Sequence, residues 1–114
     1  MEPIRFDAAE TYEPDPDWER RALAGGEDVS LEWFSKPPGH ASPMHDHENG
    51  QVCLVLAGEL TVHTEDDAVT MERYDSVWLD PWEPHAVENT GDELAVGLDI
   101  FVPGRSFDFW LDRE

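Results

Sequence analysis

Gly39-His40-Ala41-Ser42-Pro43-Met44-His45-Asp46-His47-Glu48-Asn49-Gly50-Gln51-Val52-Cys53-Leu54-Val55-Leu56-Ala57-Gly58 is the stretch that decides how this chain folds. His45 and His47 are two residues apart and Gln51 lies four further on. In extended chain, side chains alternate, so these odd positions are expected on one face. Two imidazoles and an amide oxygen on one inward face are costly to bury without a partner. A divalent cation satisfies all of them, and His85, some forty residues on, completes the set from another strand. Glu48 has the opposite parity and reads as solvent-exposed. Cys53 shares the parity of Gln51 and reads as a small buried apolar residue.

Outward from this stretch the pattern is that of β-structure. Val29–Phe34 partly alternates and is stopped by Pro37-Pro38-Gly39. Gln51–Leu56 reads as a buried strand that turns at Gly58 into Glu59–Thr64. Strands are also expected over Val69–Glu72, Ser76–Leu79, His85–Glu88 and Leu94–Val102, with turns at 65–67, 81–84 and 89–92. Many short strands with frequent turns predict an all-β sandwich or small barrel forming one domain over residues 29–114, with an aromatic tail at Phe107, Phe109 and Trp110. Residues 1–28 read as an irregular segment. Within it, Asp17 is expected to cap a short helix over Trp18–Ala24 that Gly25-Gly26 ends.

Composition narrows the function classes. The 114 residues suit one modest core, and the one cysteine excludes an intramolecular disulfide, in keeping with a reducing, cytoplasmic setting. No apolar run is long enough to cross a bilayer as a helix, and Met1-Glu2-Pro3-Ile4-Arg5 has no export-signal pattern. The formal net charge is −20, with 27 acidic residues against 7 basic ones, of which Lys36 is the single lysine. The acids are spread along the whole chain. We read them as a hydrated, halophile-type surface that excludes nucleic acid as a partner. His40, after Pro-Pro-Gly, and His63, within Glu59–Thr64, read as residues without a functional role.

The spacing Gly39, His45-Asp46-His47, Gln51, Gly58 resembles the first motif of the cupin superfamily, in which a glutamate usually stands where this chain has Gln51. His85 and Asn89 match the end of the second motif, and Pro81 lies near its proline. Tyr74 and Trp82 stand where the family usually has glycine. The resemblance implies a double-stranded β-helix, the jelly-roll barrel, with one divalent ion (Zn, Ni, Fe, Mn or Co) in its lumen on His45, His47, Gln51 and His85.

The last strand has two readings. Leu94, Val96, Leu98, Ile100 and Val102 form an apolar even face that, read alone, is the core face and leaves Asp99 in solvent. Against this, Leu98-Asp99-Ile100-Phe101-Val102-Pro103-Gly104-Arg105 resembles the pectin-degradation cupins, which linearise 4,5-unsaturated uronates to 5-keto-4-deoxyuronates. That resemblance implies Asp99, Phe101 and Arg105 as the functional residues: an acid to move protons, a ring to shape the pocket and a guanidinium for a carboxylate. It also implies a sugar-acid substrate, with the apolar even faces left for a homodimer partner. A metal-dependent cupin dioxygenase and a non-catalytic ligand-binding cupin are the alternatives.

Overall fold

The computed structural model describes residues 1–108, so Phe109 and Trp110 lie outside the described residues. After a 3-10 turn at Phe6–Ala8 come nine strands: β1 (Thr11–Asp15), β2 (Trp18–Gly25), β3 (Ser30–Lys36), β4 (Gly50–Ala57), β5 (Leu60–Thr64), β6 (Ala68–Met71), β7 (Ser76–Leu79), β8 (His85–Asn89) and β9 (Ala95–Val102). They form two antiparallel sheets, a six-stranded one in the order β1-β2-β3-β9-β4-β7 and a three-stranded one in the order β6-β5-β8. This all-β jelly roll is the expected architecture.

The core lies between the sheets. Phe34, Cys53, Val55, Leu79 and Ala95 from the larger sheet meet Leu60, Val62 and Met71 from the smaller. Gly97 is required by this packing, because a Cβ there would lie 2.5 Å from the Phe34 ring and 2.6 Å from the Leu54 carbonyl oxygen. Gly58, with φ +82°, makes the tight connection from β4 to β5.

Two expectations need correction. Trp18–Ala24 is not a helix but most of strand β2, paired with β1 and β3, and Asp17 caps nothing helical: it sits at φ 66° in the β1–β2 turn. The segment read as irregular therefore supplies two strands of the larger sheet. A cap residue and a Gly-Gly stop are local signals, and pairing with β1 and β3 overrides them. The second concerns inward faces. On β9 the odd face is buried, with Ala95, Gly97, Asp99 and Phe101 inside, while Leu94 and Val102 are exposed. On β3 likewise Ser30, Glu32, Phe34 and Lys36 point in.

Candidate metal centre and cavity

His85 opens β8 in the smaller sheet, and Gln51 and Phe101 are paired neighbours on β4 and β9 of the larger. His45 and His47 lie outside the named strands, in the connection from β3 to β4, so strand alternation does not aim them. His45 is fastened instead by a two-way backbone bridge to His85, each N–H donating to the other's carbonyl at 2.9 Å. The His47 carbonyl accepts from the Trp82 N–H at 2.8 Å. The outcome is a cluster in which one potential ligand atom from each of His45, His47 and His85 lies within 4.8 Å of the others.

The ring tautomers follow from the second set of contacts. Nδ1 of His45 donates to the Pro43 carbonyl at 2.9 Å, that of His47 to Asn49 at 2.9 Å and that of His85 to Glu83 at 2.8 Å. With Nδ1 carrying the proton, each Nε2 is left as a lone pair for a metal. Burial, together with the neighbouring His85, His47 and Arg105, pushes His45 down to about 4, and burial and Arg105 lower His47. The His45 ring is thus neutral at rest.

Gln51 makes the case for a cation sharper. Its Nε2 donates to Asp99 Oδ1 at 2.9 Å, which turns its Oε1 to within 3.0 Å of His47 Nε2. Two acceptor lone pairs then face each other, and a cation between the donor atoms relieves the conflict. The donor set of three imidazoles and an amide oxygen fits a divalent first-row ion.

Asp99 is buried and doubly held. Gln51 occupies Oδ1, and the Arg20 Nη2 donates to Oδ2 at 2.7 Å. Burial alone would raise its pKa, but Arg20, Gln51 and Arg105 outweigh that and hold the carboxyl below its ordinary range. Arg20 Nε also donates to Glu32 at 2.9 Å, and Arg105 grips the same carboxylate from Nε at 2.8 Å and Nη2 at 3.2 Å. The Arg105 guanidinium lies 3.6 Å over the Phe101 ring, and that ring stands edge-on to His47 at 5.8 Å. One hydrogen-bonded chain therefore runs Arg105–Glu32–Arg20–Asp99–Gln51 and ends with the Gln51 Oε1 facing His47.

These groups surround one cavity, lined by Trp18, Arg20, Lys36, His45, Gln51, His85, Asp99 and Arg105 with Phe34, Ser42, Cys53 and Val87. Five of the seven expected site residues, His45, Gln51, His85, Asp99 and Arg105, line this cavity, and His47 and Phe101 adjoin it through Gln51, the histidine cluster and Arg105. Glu48 is exposed and Cys53 fully buried, as expected. His40 pairs with Asp15 at 2.9 Å and packs at 4.9 Å on the ring of Trp18 in the cavity wall, and His63 pairs with Glu88 at 3.1 Å. Asn89 has a fastening role: its Nδ2 donates at 2.8 Å to the carbonyls of Lys36 and Glu93. Sequence reasoning missed Arg20, Glu32 and Lys36. Once β2 is read as a strand, Arg20 follows from Trp18 by alternation, and Glu32 and Lys36 share the parity of the buried Phe34.

Residues 33–101 match the family model described as a cupin domain. The chain belongs to the cupin family. The fold of this cupin is similar to that of KdgF from a Halomonas species, with 18% identity over 96% of this chain and 98% of that one and a TM-score of 0.84. An RmlC-like cupin from Shewanella frigidimarina has 20% identity over 96% of both chains and a TM-score of 0.83. A predicted oxalate decarboxylase from Thermotoga maritima has 20% identity, covers 88% of this chain and 97% of its own, and has a TM-score of 0.74. At these identities the likeness is one of fold.

Proposed function

We propose that this cupin is a metal-dependent enzyme acting on a small sugar acid, the 4,5-unsaturated uronate that a polysaccharide lyase releases, and converting it to the linear 5-keto-4-deoxyuronate. The observation that carries the reading is the charge of the cavity. Of only 7 basic residues in a chain of net charge −20, Arg20, Lys36 and Arg105 all line it. Asp99 is the one carboxylate among its described lining residues. Even with Glu32 and Asp99 paired to the two arginines, a wall holding three cations inside an acid-covered protein favours an anionic ligand. The resemblance of residues 98–105 to the pectin-degradation cupins supports the same substrate class.

His45, His47, His85 and Gln51 would hold the metal. Every ligand is neutral, so a bound divalent ion supplies its full charge as a Lewis acid toward substrate oxygens. Arg105, stacked on Phe101 and fixed by Glu32, presents positive charge for the carboxylate. Asp99 moves the proton. The hemiacetal hydroxyl loses a proton as the ring opens to an aldehyde, and C4 gains one as the C5 enol becomes a ketone. The sum is an isomerisation with no oxidant or reductant, and Arg20 and Gln51 fix the position of the carboxylate for the transfers. As an assembly we propose a homodimer through the outer face of the larger sheet, which light scattering on the eluting protein checks.

The test follows the ultraviolet absorbance of freshly released unsaturated galacturonate with zinc-loaded protein in molar KCl, beside oxygen consumption. Loss of absorbance faster than the spontaneous rate, reduced at least about 100-fold in Asp99→Asn with metal retained, is expected for loss of a general acid–base. Equal rates for both proteins overturn the mechanism, and oxygen uptake would favour an oxygenase.

A further inference from the structure

Lys36 ends β3 and is the only lysine of the chain. It is 1% exposed, and among the described residues its Nζ has no hydrogen-bond partner. What the ammonium does have is the face of the Trp18 ring, 3.9 Å below it. A cation–π contact restores only part of the hydration lost by burying an ammonium, which has three protons to donate and needs acceptors for them. Asp99, the carboxylate that lines the same cavity, is already committed through Oδ1 to Gln51 and through Oδ2 to Arg20. Arg20 repels the lysine, while Asp99, Asp15 and the buried thiol of Cys53 favour its charge less strongly than burial opposes it. Packing alone gives no reason for the amine, since a methionine fills the same space without the cost.

The side chain lines the same cavity as the histidine cluster, Asp99 and Arg105. Its position in that cavity is set by register. Glu32, which anchors Arg105, and Lys36 share the inward face of β3 four residues apart, about 13 Å along the strand. The two cations are therefore rooted at opposite ends of the site. A ligand seated at the histidines with its carboxylate at Arg105 thus reaches Lys36 with its remote end.

We propose that Lys36 is a substrate-binding group, donating from Nζ to a hydroxyl or carbonyl oxygen of the sugar acid at the end remote from its carboxylate; this rests on the sugar-acid reading above. Arg105 and Lys36 then act as a ruler: the first requires the acid, the second an oxygen at a set distance from it. The same pairing discriminates against acids that lack the far oxygen, because the buried ammonium stays unsatisfied when they bind. The lysine, depressed to about 7 when alone, gains an acceptor on binding and regains its proton.

A single lysine makes the test direct, because protein grown with lysine labelled at Cε gives one side-chain signal. Zinc-loaded protein is titrated with D-galacturonate, with affinity measured by calorimetry and the Lys36 signal by NMR. The expected result is binding that shifts the Lys36 signal, raises its titration midpoint by at least one pH unit and weakens at least 10-fold in Lys36→Met. Binding with an unmoved signal and an unchanged Lys36→Met affinity overturns the assignment while leaving the sugar-acid reading intact. Absence of any galacturonate binding also overturns it, and the turnover assay above then decides separately whether the sugar-acid reading stands.

Discussion

Gln51 is where the metal side and the acid side of the cavity meet. One end of its amide faces His47 and the other donates to Asp99. A glutamate there would set two carboxylates side by side, with Asp99 losing a donor and gaining a repelling neighbour. Gln51→Glu is therefore expected to lower the stability of metal-free protein by about 2 kcal/mol, most of it recovered on zinc loading, as followed by urea denaturation with and without the ion. Lys36 gives a second prediction at this scale. Its folded-state pKa is about 7 against an ordinary 10.5, so between those values the unfolded chain holds a proton that the folded chain does not. Its penalty on stability is complete below pH 7 and fades as pH rises toward 10.5. Lys36→Met should thus stabilise the protein by roughly 2–4 kcal/mol at pH 6 and by much less at pH 10, which denaturation at the two pH values measures. A destabilising lysine in a cavity wall suits a residue kept for binding.

At the scale of elements, the loops that carry the ligands are held by unusual backbone. Trp82 and Tyr74, which stand where related sequences usually have glycine, sit at φ 63° and 72°, in the left-handed region that glycine adopts without cost. Each donates its N–H to a structural carbonyl, Trp82 to His47 and Tyr74 to Val55, while both side chains stay exposed. Trp82→Gly should therefore raise stability by about 0.5–1 kcal/mol without weakening zinc affinity, checked by thermal unfolding and metal titration. The strand pattern explains what was and was not legible at this scale. β3 to β9 fall within a residue or two of where turn signals and β-branched runs place them. The inward faces of β3 and β9 do not follow hydrophobicity, because Glu32, Arg20, Asp99 and Arg105 satisfy one another inside the barrel. Outside it, Trp33 packs edge-on against Phe6 at 4.9 Å. Burial of ions is possible only where each has its partner, and those partners come from β2, β3, β9 and the segment beyond it.

Over the whole molecule, charge is partitioned: most acids lie outside, Glu32 and Asp99 are buried with the arginines, and three of the few cations line one cavity. No helix among the described residues is long and apolar enough to cross a membrane. With 27 acids against 7 bases, the folded state repels itself in dilute buffer. Screening by salt shortens that repulsion, so raising KCl from 0.1 to 2 M should raise the melting temperature by roughly 4–8 °C, equivalent to about 1 kcal/mol, in a calorimetric scan. The sequence by itself determined an all-β sandwich or small barrel, through turn spacing, and its resemblance to the cupin motif at His45, His47, Gln51 and His85 implied the jelly roll, because these are local patterns of chain and ligand type. Its likeness to the pectin-degradation cupins also singled out Asp99, Phe101 and Arg105, against the apolar periodicity of the last strand. Only the tertiary structure decided that Trp18–Ala24 is a strand, which face of β9 is inside, and that Arg20, Glu32 and Lys36 belong to the site. Those facts rest on pairings between residues as far apart as Arg20 and Asp99, whose electrostatics exist only once the sheets have closed.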